Sequence, residues 1–253
     1  MQTKQQKREE ECLIFGIRPV IEAVKAGKEI DRLYIQSGLK SDLFNELMAV
    51  LKQHHVAFQY VPVEKLNRLT TKNHQGVAGY ISAISYHKIQ DLIPTLFEEG
   101  KVPMILILDR ITDVRNFGAI ARTAECSGVH AIIIPAHGAA QINADAIKTS
   151  AGALHKIPVC REENLKAVIN FLKESGLQII ACTEKTTDYY FQIDFTVPSA
   201  IIMGSEENGI SNEYLQKSDV KAKIPLMGEI ASLNVSVAAG IILYEAVSQR
   251  LVS

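Results

Sequence analysis

Three short stretches hold the residue types that could do chemistry. The first, "DVRNFGAIARTAE" at residues 113–125, follows the apolar run "VPMILILD" and sets Asn116, Gly118 and Arg122 at the start of a helix. Glycine costs about 1 kcal/mol against alanine inside a helix, so Gly118 implies a need for close approach. Gly118 and Arg122 lie four residues apart and share a face. A bare backbone beside a guanidinium, near a helix N-terminus, suits an anionic or oxygen-rich ligand. Asn116 has the side chain of an N-cap. The plainer reading is a capped helix whose exposed Arg122 pairs with Glu125, a contact worth little at a surface.

The second stretch, "MGSEENG" at residues 203–209, sets two carboxylates between Gly204 and Gly209. Glycines at a strand end permit a tight turn. Glu206 would then sit at the strand tip, able to hold a cationic side chain or a ribose hydroxyl, while Glu207 fits a polar turn. The third, "IPLMGEIASLNVSVAAG" at residues 224–240, gathers Ser232, Asn234 and Ser236 around one helix start. That is more hydroxyl and amide than a single cap needs. Neither a G-x-x-x-x-G-K-[ST] loop nor a G-x-G-x-x-G fingerprint is present, which disfavours ATP and dinucleotide chemistry.

These stretches need elements to position them. From Val102 onward the runs "VPMILIL", "HAIIIP", "LQIIACT", "SAIIMG" and "VKAKIP" are short, isoleucine-rich and bounded by turn residues. Continuous apolar strands of this kind are buried on both faces, as in a parallel sheet. Helical segments alternate with them, so the pattern is a doubly wound α/β domain. Such sheets bind ligands beyond the carboxyl ends of their strands, where all three stretches fall. The last helix, residues 234–251, is apolar nearly all round, which predicts burial against its own sheet and a second surface, another subunit. Residues 12–84 form a smaller alternating α/β module. Residues 85–101 read as a linker with a helical piece, and 1–11 as a disordered, charged tail.

Composition bounds the rest. The chain has 253 residues, 47% hydrophobic, and a net charge of −1. Two modest domains fit, and nucleic-acid binding would have to use local patches. The turn "KNHQG" before Val77 is one candidate for touching RNA. Cys12, Cys126, Cys160 and Cys182 lack metal spacing, and a reduced, cytoplasmic setting fits them. His54 and His55 are adjacent and point apart, and His130, His137 and His155 are isolated, so no metal site is expected. The N-terminus lacks the apolar core of a signal peptide. The apolar runs are read as too short to span a bilayer, so no membrane partner is expected.

Taken together, "NFGAIAR", "MGSEENGI" and "IPLMGEIASLNVSVAAGIILYEA" resemble motifs 1, 2 and 3 of the SpoU (TrmH-like) RNA ribose 2′-O-methyltransferases of the SPOUT class. "FGIRPVIEAV" and "HQGVAGYI" resemble the small L30e-like RNA-binding domain that precedes the catalytic domain in some members. The resemblance covers nearly the whole chain. It is nearest to the bacterial members that methylate a guanosine ribose in large-subunit (23S) rRNA. It implies S-adenosylmethionine as methyl donor, a homodimer through helix 234–251, and a catalytic domain with a trefoil knot. By motif matching, Met203, Gly204, Ile224, Met227, Leu233 and Ser236 would contact the cofactor. Asn116, Arg122, Glu206, Ser232 and Asn234 would form the catalytic constellation. The family pattern gives Arg122 the part of general base. A guanidinium stays protonated, so stabilising charge on the attacking oxygen, or a relay through phosphate, is chemically better founded. Two alternatives stay open: a tRNA substrate, and a non-catalytic RNA-binding protein of ribosome assembly.

Overall fold

The computed structural model of the chain describes residues 13–252, and the tail read at 1–11 lies outside them. The chain forms two compact units, one built from the residues up to Ser85 together with Ile142–Ala144 and one from Tyr86–Gln141 and from Asp145 onward.

The first unit runs β1 (Leu13–Phe15), α1 (Ile17–Lys25), β2 (Ile30–Gln36), α2 (Asp42–Gln53), β3 (Gln59–Val61), α3 (Val63–Leu69) and β4 (Val77–Ile81). Its sheet has the order β1-β4-β2-β3, with β4 antiparallel to both neighbours and β3 parallel to β2. Side chains alternate across a strand. Leu33 and Ile35 therefore join Val20, Ile21, Leu47 and Leu51 in one core, while Tyr34 packs with Val61, Leu66 and Ala78 in another. The "KNHQG" turn uses its polar atoms internally. The buried His74 ring bonds Asn67 Oδ1 at 2.9 Å and accepts from Gly76 N at 3.0 Å, and Gln75 Oε1 accepts from Ile17 N at 3.2 Å.

The second unit begins with α4 (Ile89–Glu98) and continues β5 (Met104–Asp109), α5 (Val114–Cys126), β6 (Ala131–Pro135), α6 (Ala144–Thr149), β7 (Val159–Glu162), α7 (Leu165–Glu174), β8 (Gln178–Cys182), β9 (Ser199–Gly204), α8 (Asn212–Lys217), β10 (Val220–Ala222) and α9 (Val235–Val252). All six strands are parallel, in the order β10-β8-β9-β5-β6-β7. Every residue of β5 is buried, as a sheet covered on both faces requires. The 85–101 stretch is more than a linker. Ile89, Ile93 and Leu96 of α4 enter the same core as Ile105, Ile133 and Ile202, because their spacing puts them on one helix face.

Helix α9 packs against α5, and its buried residues are Val235, Ala239, Ile242, Leu243 and Ala246. The expected burial on every side is not met within one chain: Val237 is 52% and Tyr244 51% exposed. By length and composition alone this helix could cross a membrane, a case the short-run argument passed over. Here its last turn is fastened inside the unit. Arg250 donates to the backbone oxygens of Phe195, Val102, Pro103 and Val197 and to Ser199 Oγ.

Candidate active site

The chain leaves β5 toward β6 on one side of the sheet and leaves β9 toward β10 on the other, so the strand order reverses between β5 and β9. A crevice opens at the carboxyl ends of such a pair. The loop after β5 enters α5, and the loop after β9 carries Glu206. Asp113, not Asn116, caps α5: its Oδ1 accepts from Asn116 N at 2.7 Å. That releases the Asn116 side chain, which sits one turn inside the helix and reaches across to the β9 loop.

Asn116, Glu206 and Asn234 meet there. Glu206 Oε1 accepts from Asn234 Nδ2 at 2.7 Å, Val235 N at 3.1 Å and Asn116 Nδ2 at 3.3 Å. Asn234 Nδ2 also donates to Asn116 Oδ1 at 3.0 Å, closing a triangle. Asn234 caps α9 as well. Its backbone oxygen accepts from Ala238 N at 3.0 Å and its Oδ1 from Ser236 N at 2.9 Å. The helix start and the Glu206 carboxylate are thereby one construction, with Glu206 placed where the helix dipole favours negative charge.

Two clefts meet at this triangle, and Ser205–Asn208 and Val235 line both. The larger, about 500 Å³, is lined by Met203, Gly204, Glu206, Ile224, Ser232 and Leu233 of the expected residues, and further by Cys182, Glu184 and Leu226. Its size is that of a small-molecule site. Apolar Met203, Ile224, Leu226 and Leu233 suit an adenine ring, and the carboxylates of Glu184 and Glu206 suit a cationic group. Burial pushes the Cys182 thiol up to about 12, so it stays protonated and a poor nucleophile there. Met227 and Ser236 do not line the cleft. Met227 projects into solvent at 96% exposure, and Ser236 is turned to the Asn234 cap. The smaller cleft, about 410 Å³, is lined by Arg110, Thr112, Asp113, Asn116 and Gly138 beside the shared loop.

Arg122 stands apart. It is exposed on α5, lines neither cleft, and makes no hydrogen bond or ion pair among the described residues. The pairing with Glu125 is not seen; Glu125 faces Lys156 at 3.7 Å instead. Gly118 offers no room to a ligand either. A Cβ there would lie 2.7 Å from Thr149 Cβ and 3.1 Å from Ala146 O, so the glycine is required by packing of α5 on α6 and the residues just after it. Sequence reasoning missed Asp109, Arg110 and Ser211, which tie β5 to the β9 loop. The only signal for them was a carboxylate closing an otherwise apolar strand.

With the geometry in place, comparison with known proteins adds the lineage. Residues 103–244 match the SpoU rRNA methylase family, and residues 13–87 match the substrate-binding domain of RNA 2′-O ribose methyltransferases. A Bacillus subtilis protein named for the TrmH family of tRNA/rRNA methyltransferases is 32% identical over 237 residues, 94% of this chain and 95% of that one. The SpoU methyltransferase AviRb of Streptomyces viridochromogenes, solved with AdoMet bound, superposes with a TM-score of 0.61 at 25% identity, over 99% of this chain and 95% of that one. A TrmH/SpoU tRNA modifying enzyme of A. aeolicus superposes with a TM-score of 0.55 at 31% identity, over 64% of this chain and 84% of that one.

Proposed function

The chain belongs to the SpoU rRNA methylase family, and from that premise we propose that it methylates the ribose 2′-hydroxyl of a guanosine in 23S rRNA, working as a homodimer. The coarser statement needs no proposal: this is an S-adenosylmethionine-dependent RNA methyltransferase. The observation that supports transfer to a ribose hydroxyl is the Asn116–Glu206–Asn234 triangle where two clefts meet, while the choice of guanosine and of 23S rRNA rests on the resemblance of the three motifs. One cleft has the size and lining for the cofactor, and the other would admit the acceptor nucleotide.

When bound, S-adenosylmethionine supplies an electrophilic methyl group on a sulfonium. The protein's work is then placement and charge. Asn116 and Asn234 hold Glu206 at the junction of the clefts, from which its carboxylate can orient the acceptor hydroxyl. In-line approach of oxygen to methyl carbon gains much of its rate from such placement. A 2′-hydroxyl is a weak nucleophile that must shed its proton as it attacks, here to a phosphate oxygen of the RNA, and a cation beside it stabilises the charge that develops. Arg122 is assigned that part, with Ser232 at the rim of the cofactor cleft. Since Arg122 has no contact with its own triangle, it serves the site of a second copy, with the exposed Val237–Tyr244 face of α9 covered in the dimer. The first unit holds the RNA, in keeping with its substrate-binding match.

A tRNA substrate is the second reading, favoured by the A. aeolicus neighbour. Mapping 2′-O-methyl positions in rRNA and tRNA from a strain lacking the protein separates them. Loss of one guanosine methylation in 23S rRNA is expected; loss in tRNA with rRNA intact overturns the rRNA assignment.

A further inference from the structure

We infer that Arg110 is a positioning residue for methyl transfer, acting through Asp109 and Gly209 to preset the loop that carries Glu206 and walls the cofactor cleft. The inference rests on the function proposed above.

Arg110 directly follows β5, with φ at 58°. Side chains with a Cβ rarely adopt that conformation, and it persists where surroundings enforce it, often at functional sites. Here the enforcement is visible. The Asp109 side chain is 3% exposed, and its carboxylate accepts from Arg110 Nε at 3.1 Å. Its Oδ2 also accepts from Ser211 N and Ser211 Oγ, both at 2.7 Å, and from Arg110 Nη2 at 3.3 Å. The same Nη2 donates to Gly209 O at 3.2 Å. Gly209 N in turn donates to Ser205 O at 2.8 Å and closes the turn around Glu206.

The tie therefore grips the loop near its far end, at Gly209 and Ser211. The near end is fixed differently: a Cβ on Gly204 would strike the backbone of Gly209 and Ile210. Between these two fixed points lies Glu206. The buried Asp109 charge needs partners, and Ser211 alone supplies two. The guanidinium adds something else, a rigid fork spanning carboxylate and backbone oxygen that an ammonium cannot copy. Its outer edge is 41% exposed in the smaller cleft, beside Asn116 and Glu206. A change in this fork moves the carboxylate that both clefts share.

The test uses full-length Arg110→Ala, Arg110→Lys and Arg110→Gly, the last relieving the backbone conformation while removing the fork. Calorimetry with S-adenosylmethionine reads the loop without RNA, single turnover at saturating cofactor and RNA reads Glu206, and thermal melting checks folding. All three variants are expected to melt near wild type, to bind cofactor about ten-fold more weakly, and to lose about ten- to a hundred-fold in single-turnover rate, with no rescue by lysine. Wild-type cofactor affinity in a folded Arg110→Gly protein overturns the inference, as does full recovery in Arg110→Lys. Because the cofactor arm needs no RNA, a wild-type protein that binds S-adenosylmethionine yet leaves RNA unmethylated sinks the proposed function while this arm still decides on Arg110.

Discussion

The proposed function divides the charge of the site between Glu206 and Arg122. Glu206 is held by three donors, whereas Arg122 is held by none among the described residues. A residue that acts only on the developing oxyanion should change turnover and leave ground-state binding alone. Arg122→Ala is expected to lower the single-turnover rate by about 100- to 1,000-fold and leave S-adenosylmethionine affinity, measured by calorimetry, near wild type. Arg122→Lys should fail similarly, for want of the planar donor fork. Near-normal turnover in either variant returns Arg122 to an ordinary surface cation. The crowding of Ser232, Asn234 and Ser236 at one helix start reads as more than a cap; in the structure Asn234 reaches Glu206, Ser232 lines the larger cleft and Ser236 stays with the cap. The partner of Asn116 was not legible: Glu206 lies 90 residues away, and no local spacing encodes that meeting.

At the scale of elements, the parallel sheet of the second unit could be read from its apolar runs, since a strand buried on both faces leaves a continuous signature. Strand β7 and helix α6 escaped notice because "PVCRE" and "ADAIKT" are short and mixed in polarity. Gly118 misled for a physical reason: a glycine demanded by helix packing looks the same in sequence as one demanded by a ligand. Gly204 is the glycine on which the turn beside the larger cleft depends. Gly204→Ala would drive a Cβ into the Gly209–Ile210 backbone, so calorimetry should find cofactor binding lost in a protein that still shows wild-type circular dichroism. Retained affinity would mean the loop is slack.

The start of β5 carries a pH dependence. His130 Nδ1 accepts from Met104 N at 3.0 Å. Burial above all, then the charges of Arg250 and Lys101, holds its pKa below the ordinary 6.5. The unfolded chain takes up this proton near pH 6.5, and the folded chain only at lower pH. The stability it contributes is thus full above pH 6.5 and lost as pH falls through the folded value. Melting temperature should drop between pH 7 and pH 5 more steeply in wild type than in His130→Asn. Parallel curves would show that His130 is not the group responsible.

For the molecule as a whole, the exposed apolar face of α9 and the isolation of Arg122 make one claim: each site is completed by a second copy. The claim can be tested by complementation. Arg122→Ala and Glu206→Ala proteins, each inactive, are mixed and allowed to exchange subunits. In a two-fold dimer, statistical mixing leaves one intact site in each heterodimer and restores roughly a quarter of wild-type activity. Val237→Asp, which sets a charge on the uncovered face, should yield monomers by light scattering. Ile242 would be a poor choice for that experiment, because it is fully buried within its own chain. No recovery on mixing, with wild type monomeric at micromolar concentration, refutes the shared site.

The central claim, transfer of the sulfonium methyl to a ribose oxygen at the Asn116–Glu206–Asn234 junction, is reached most directly by nucleoside analysis. Transcripts of 23S rRNA and total tRNA are incubated with the full-length protein and methyl-labelled S-adenosylmethionine, digested to nucleosides and resolved by mass spectrometry. The account predicts label in 2′-O-methylguanosine from the rRNA alone, stoichiometric at one position and absent with Glu206→Ala. Label on a base, or undiminished ribose labelling by Glu206→Ala, would contradict it.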